Sequence, residues 1–215
     1  MERMRVVSVN VGRPETIRHG AREFVTGINK HPAYRTIHVT EQGIEFDVIC
    51  DEVHHGGPDQ AVYAYGAGDY EWWSNQLGRD IPFGTFGDNL TIEGLPSDFN
   101  TGDRLLIGDV ILEATAPRIP CGTLAAKMQD SGFGMQFRRA ERPGFYFRVL
   151  NEGDIAVGDT ATLVEDSTDS ISMLEQFRLS YEINPSVRDL QRALDAPIAE
   201  RMRSKFEARL SAADV

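Results

Sequence analysis

Gly102-Asp103-Arg104-Leu105-Leu106-Ile107-Gly108-Asp109-Val110-Ile111-Leu112-Glu113-Ala114-Thr115-Ala116-Pro117-Arg118-Ile119-Pro120-Cys121 sets the fold class and leads into the chemistry. Two runs rich in Leu, Ile and Val, Gly102 to Ile107 and Val110 to Thr115, flank a Gly-Asp pair, as two strands flank a tight turn. The same reading gives strands over Met4 to Val11, Thr36 to Val39, Gly43 to Cys50 and Phe145 to Leu150, and a second tight connection at Val157-Gly158-Asp159-Thr160. Few helices interrupt them, one over Asp69 to Leu77 and one over Gly122 to Ser131. Many short strands with few helices predict a mainly β fold, a β-barrel whose closure removes exposed strand edges.

The end of the opening stretch, Ala116 to Cys121, places a cysteine in a proline-stiffened turn with a cation three residues upstream. Each proline fixes one φ angle and biases its predecessor toward extended backbone, so Arg118 and Cys121 keep a nearly constant relation. A nearby guanidinium lowers a thiol pKa, and the thiolate is the form that attacks or binds a soft metal. The alternative is a buried, inert cysteine that follows a strand.

Two cysteines in 215 residues exclude a disulfide scaffold, and no charged-then-apolar leader opens the sequence. The expectation is a cytoplasmic, reduced protein. Hydrophobic residues make up 41%, in runs too short for a membrane span. A formal net charge of −11 repels phosphate backbones and argues against general nucleic-acid binding, so an anionic ligand must meet a local positive site.

Glu165-Asp166-Ser167-Thr168-Asp169-Ser170 reads as a boundary between a barrel over residues 1–165 and a helical extension over 166–215. Past it, Ser172-x-x-Glu175 predicts a capping box for a helix through Leu179, Ser186 a second cap, and Pro197 the first turn of a third helix. Ile198, Met202, Phe206 and Leu210 give that helix one apolar stripe, and Arg201, Arg203, Lys205 and Arg209 occupy its other faces. Those cations read as a solvated face, or as a dock for an acidic partner or a homodimer contact.

His54-His55-Gly56-Gly57-Pro58-Asp59 sets two imidazoles before a Gly-Gly pair that lets the backbone approach a ligand and turn N–H groups on an anion. Adjacent residues on an extended strand point to opposite faces, so the histidines make a poor zinc pair. The alternative is a glycine turn between strands. In Phe83-Gly84-Thr85-Phe86-Gly87-Asp88-Asn89-Leu90-Thr91 the Asp88-Asn89 pair suits either the polar edge of a heterocycle or an ordinary turn.

Together and in order, His55-Gly56-Gly57-Pro58-Asp59, Gly87-Asp88-Asn89-Leu90-Thr91, Pro117-Arg118-x-Pro120-Cys121 and Gly144-Phe145-Tyr146-Phe147-Arg148-Val149 resemble the MOSC domain of molybdenum cofactor sulfurase C-terminal regions. The helical tail resembles that of the YiiM-like branch. The resemblance implies a closed barrel with a three-helix extension that handles the molybdenum cofactor (molybdopterin), with Cys121 as metal ligand or sulfide carrier. It also implies reduction of N-hydroxylated compounds, such as hydroxylaminopurine-type bases, with electrons from a separate reductase. The alternative is a sulfur carrier or cofactor-binding module using a Cys121 persulfide. The chain has no room for a desulfurase domain, so no pyridoxal phosphate is expected. In this reading Cys121, Arg118 and His55 serve the chemistry. His55, Gly56, Gly57, Asp59, Asp88, Asn89 and Arg118 contact the cofactor, and His55 or Asp59 donates the proton.

Two departures from the family pattern remove positive charge: Glu52-Val53-His54 stands where a basic residue often precedes the His-Gly-Gly segment, and Gly122-Thr123 where a Lys follows the cysteine. Arg138, Arg139, Arg142 or Arg148 would have to substitute.

Overall fold

Along Met4–Gly12, Met4, Val6 and Val9 are buried and Arg5 is exposed, the pattern of a strand with one face on a core. This is β1 of a computed structural model that describes residues 4–165 and 170–213. Next come the hairpin β2 (Glu15–His19) and β3 (Arg22–Thr26), then β4 (Lys30–Pro32), β5 (Ile37–Thr40), β6 (Gly43–Ile44) and β7 (Val62–Gly66). Helix α1 (Ala67–Leu77) precedes β8 (Leu90–Glu93), β9 (Arg104–Ile107) and β10 (Val110–Pro117). After α2 (Gly122–Met128) and α3 (Phe133–Ala140), β11 (Phe145–Asn151), β12 (Gly153–Ile155) and β13 (Thr160–Val164) end the β region. The tail holds α4 (Met173–Leu179), α5 (Val187–Asp195) and α6 (Glu200–Ala213).

Seven strands close a barrel in the order β13-β9-β10-β11-β7-β8-β1, and β13 pairs back onto β1 with Met4 opposite Ala161. Neighbours are antiparallel except β7 and β8. A parallel pair needs a crossover, which the segment carrying α1 supplies. Inside lie Val6, Val9, Val62, Leu90, Leu105, Leu112 and Phe147, all fully buried. A second, aromatic core of Tyr65, Tyr70, Trp73, Phe86, Phe133 and Phe137 joins the barrel wall to α1 and α3.

The predicted Gly108-Asp109 hairpin is present, with Gly108 at φ +57° between β9 and β10. The Gly158-Asp159 connection is tight, but β12 pairs with β5 whereas β13 belongs to the barrel, so it links two sheets. The strand expected over Gly43 to Cys50 stops at Ile44. Phe46 turns to φ +66°, and the Asp47 carboxylate accepts from the Gly12 amide at 2.7 Å, which takes the segment out of the ladder. The helix expected over Gly122 to Ser131 ends at Met128, because Gln129 adopts φ +54°; α3 then follows as a helix of its own.

Of the boundary segment, residues 166–169 lie outside the described residues. Ser172 and Glu175 form the expected capping box, and Ser186 caps α5 through the Asp189 amide at 3.0 Å. Pro197 precedes α6 by three residues and is not in its first turn. Ile198, Met202 and Phe206 are buried as the stripe requires. Arg201 and Lys205 are exposed as a solvated face requires, Arg203 and Arg209 are half-buried, and all four also donate to neighbouring carbonyls. Arg203 donates to Leu194 O and Ala196 O, Lys205 to Ser180 O, Arg209 to Leu179 O and Glu182 O, and Arg201 to the segment before β7. No described helix is long and apolar enough to cross a membrane.

Candidate functional site

Where β10 leaves the barrel, Pro117 to Pro120 carry the chain to Cys121, which occupies the N-cap position of α2 in extended backbone, φ −113°. The turn fixes Arg118 and Cys121 on one side of a cavity of about 270 Å³. Val25 to Ile28 and Val48 to Asp51 form another side, His55, Gly56 and Gln60 a third, and Tyr63, Asn89 and Tyr146 also line it. Both cysteines face it, Cys50 exposed and Cys121 partly buried.

Burial opposes ionisation of Cys121, but a hydrogen bond from His55, the Arg118 charge and the Leu124 amide outweigh it and bring the thiol down to about 6. At neutral pH the sulfur is a thiolate. Arg118 is 7% exposed; its Nη1 donates to Tyr146 Oη at 3.1 Å and its guanidinium lies over the Tyr63 ring at 5.1 Å. Burial works against its charge, while Tyr146, Tyr63, Cys121 and Asp88 hold it above the ordinary arginine range. Its Nε is buried with no hydrogen-bond partner.

The second cation at the cavity is Lys30, which the sequence reading missed. Its Nζ donates to Asp47 Oδ2 at 2.5 Å, and Asn89 Nδ2 donates to the same oxygen at 2.9 Å. Burial lowers the Lys30 pKa, and Asp47 works against that shift. Lys127 lies nearby and donates to Ile28 O and Gly84 O; burial, then Arg118 and Lys30, push it down to about 8 despite Asp88. Lys30 and Lys127 carry no motif; Lys30 is placed by its position in the cavity wall and Lys127 by its bond to the wall residue Ile28.

The structure therefore brings together Cys121, Arg118, His55, Gly56 and Asn89 at one cavity. Asp88 is fully buried off it, bound by Tyr70 Oη, by Thr91 Oγ1 at 2.7 Å and by Asn10 Nδ2 at 3.4 Å; burial raises its pKa. Asp59 and Gly57 do not line the cavity either. The Asp59 carboxylate is taken by Arg148 Nη2 at 2.8 Å and the Glu200 amide at 2.8 Å, so it is no free proton donor. The expected substitute cations lie elsewhere as well. Arg148 pairs with Asp59 and Glu113, Arg142 with Asp69, Arg138 stacks on Tyr181 and Arg139 is exposed. Besides Arg118, the cation that does line the cavity is Lys30, itself paired with Asp47.

The two histidines diverge: His54 Nδ1 lies 3.0 Å from both Asp51 carboxylate oxygens, whereas His55 meets Cys121. Among the described residues no group of three His, Cys, Asp or Glu side chains can hold a metal ion. One thiol beside a buried arginine suits a metal that brings most of its own ligands and an anionic tail better than a bare ion.

The MOSC domain model matches residues 51–162, which contain His55, Arg118 and Cys121. The chain belongs to the MOSC domain family. It is 33% identical over 207 residues to YflK of Bacillus subtilis strain 168, covering 95% of this chain and 94% of that one. The crystal structure of YiiM from Geobacillus stearothermophilus superposes with a TM-score of 0.80 at 31% identity, over 96% of this chain and 99% of that one. A protein named Reductase in Gibberella moniliformis (strain M3125 / FGSC 7600) is 32% identical over 165 residues, 74% of this chain but only 29% of that protein. The MOSC barrel and the tail both lie within the superposition with YiiM.

Proposed function

We propose that this MOSC protein binds the molybdenum cofactor in the Cys121 cavity and reduces N-hydroxylated nitrogen compounds with electrons from a separate reductase. The observation that carries the reading is that Cys121 faces one cavity beside a buried arginine whose Nε has no partner, a charge that helps hold the thiol down to about 6. That donor set fits a soft metal with an anionic tail. The likeness to a longer protein named Reductase supports the reaction class.

Cys121 would be the protein's ligand to the metal, and Arg118, whose Nε has no partner, would meet the anionic tail. When bound, the cofactor supplies the two-electron couple; the net change is R–NHOH + 2e⁻ + 2H⁺ → R–NH₂ + H₂O. His55, which lines the cavity with Cys121, would be the donor for the departing water. Asn89 and Tyr146 fix the wall against which a substrate ring would lie.

The test is turnover of a hydroxylamino base by protein from a cofactor-competent host, with a flavin reductase as electron source. Wild type should turn over and Cys121→Ser should lose at least about 100-fold in rate. Equal rates would end this reading, and a Cys121 persulfide without turnover would replace it with the carrier.

A further inference from the structure

Along β11, Phe145 and Phe147 are buried inside the barrel, so Tyr146 between them points out of it and joins the cavity wall. On the neighbouring strand β10 the register shifts between Ala114 and Ala116, an irregularity of the kind that re-aims side chains at a barrel rim. The Tyr146 ring packs on Tyr63 with centroids 4.7 Å apart. Both tyrosines line the cavity, but their hydroxyls are used differently. Tyr63 Oη donates to Pro143 O at 2.8 Å, whereas Tyr146 Oη only accepts, from Arg118 Nη1 at 3.1 Å. A guanidinium offers no acceptor, so this bond leaves the Tyr146 proton unused, and among the described residues no other group takes it. Two other polar groups at the cavity are committed. Asn89 Nδ2 donates to Asp47 Oδ2 and its Oδ1 accepts from the Tyr63 amide at 3.1 Å, while Lys30 is paired with Asp47.

We propose that Tyr146 is a specificity-determining residue whose hydroxyl donates a hydrogen bond to the oxygen of the substrate N–OH group and so distinguishes substrate from amine product. The inference rests on the proposed reaction and names the substrate atom that the site reads. Arg118 is buried and occupies the acceptor side of the hydroxyl; a cation there strengthens the O–H as a donor. The N–OH oxygen accepts that bond. The product amine presents N–H groups in its place and leaves the donor unpaired, a mismatch that a site built around a hydroxyl penalises. Loss of the oxygen as water therefore removes the contact and favours product release.

The experiment is calorimetric binding of a hydroxylaminopurine and of the matching aminopurine to protein from a cofactor-competent host, with no electron donor present so that nothing turns over. Wild type should bind the N–OH compound at least about tenfold tighter than the amine. Tyr146→Phe, which keeps the ring on Tyr63, should bring the two affinities within about twofold by weakening the N–OH compound alone. Tyr181→Phe removes an unpartnered hydroxyl from the tail, where Tyr181 packs on Phe177, and should keep the wild-type preference. An unchanged preference in Tyr146→Phe, with wild type still turning over, would overturn this inference and leave the proposed reaction standing. Equal weakening of both compounds would reduce Tyr146 to a packing role and overturn it as well. Binding of neither compound by wild type would remove the proposed reaction and this inference with it.

Discussion

Lys30, which lines the cavity, forms a buried ion pair with Asp47, Nζ to Oδ2 2.5 Å, with side chains only 9% and 6% exposed. Asp47 also accepts from the Gly12 amide and from Asn89, so it ties the segment after β6 to the end of β1. Removing one member of such a pair strands the other charge in a poor solvent. Asp47→Asn should therefore cost about 3 kcal/mol in urea unfolding. A loss under about 1 kcal/mol would mean that Lys30 sheds its proton or reaches water.

Cys121 should label before Cys50, although both face the same cavity. The first meets Arg118 and a hydrogen bond from His55; the second is exposed on an irregular segment. Pulse alkylation at pH 6.5 with peptide mapping checks this, and faster labelling of Cys50 would contradict it.

The same titration links to stability. The folded thiol ionises at about 6 against a reference of 9.0, so between those values the unfolded chain binds a proton that the folded chain does not. The folded-state pKa is depressed. The contribution is therefore complete above pH 9 and is lost as pH falls through 6. The stability difference between wild type and Cys121→Ser should grow with pH from 6 to 9, by at most about 1.4 kcal/mol per unit. Parallel stability curves for the two proteins would contradict the assignment.

Gly56→Ala would put a Cβ at φ +69° and press on Ile49. The backbone strain should cost about 1–3 kcal/mol, and the displaced His55 should move the Cys121 alkylation curve to higher pH. Thermal unfolding and alkylation on the same sample check both. A destabilised variant with an unmoved curve would separate His55 from the thiol.

The strand pairs with clear apolar runs were legible from the sequence, as was the capping box at Ser172, because local composition determines them. The strands β7 and β8 were not, since Val62-Tyr63-Ala64-Tyr65 is buried on every residue and shows no alternation. The short hairpin of β2 and β3 carries charge in both strands and gives no apolar period. At the site, Arg118 and Cys121 were legible because the prolines fix their relation within four residues. Lys30, Asp47 and Arg201 were not, because each reaches its partners across tertiary distance: Arg201 lies 146 residues from His55. The motif neighbours Asp59 and Asp88 were read as ligands, yet both make structural bonds, Asp59 a half-buried pair with Arg148 and Asp88 a buried bond from Tyr70.

Molybdenum content per chain tests the central claim most directly. Protein purified from a host able to make the cofactor should carry close to one molybdenum per chain, and Cys121→Ser and wild type from a cofactor-deficient host should carry almost none. Wild type free of molybdenum from the competent host, or Cys121→Ser retaining the wild-type amount, would contradict the account.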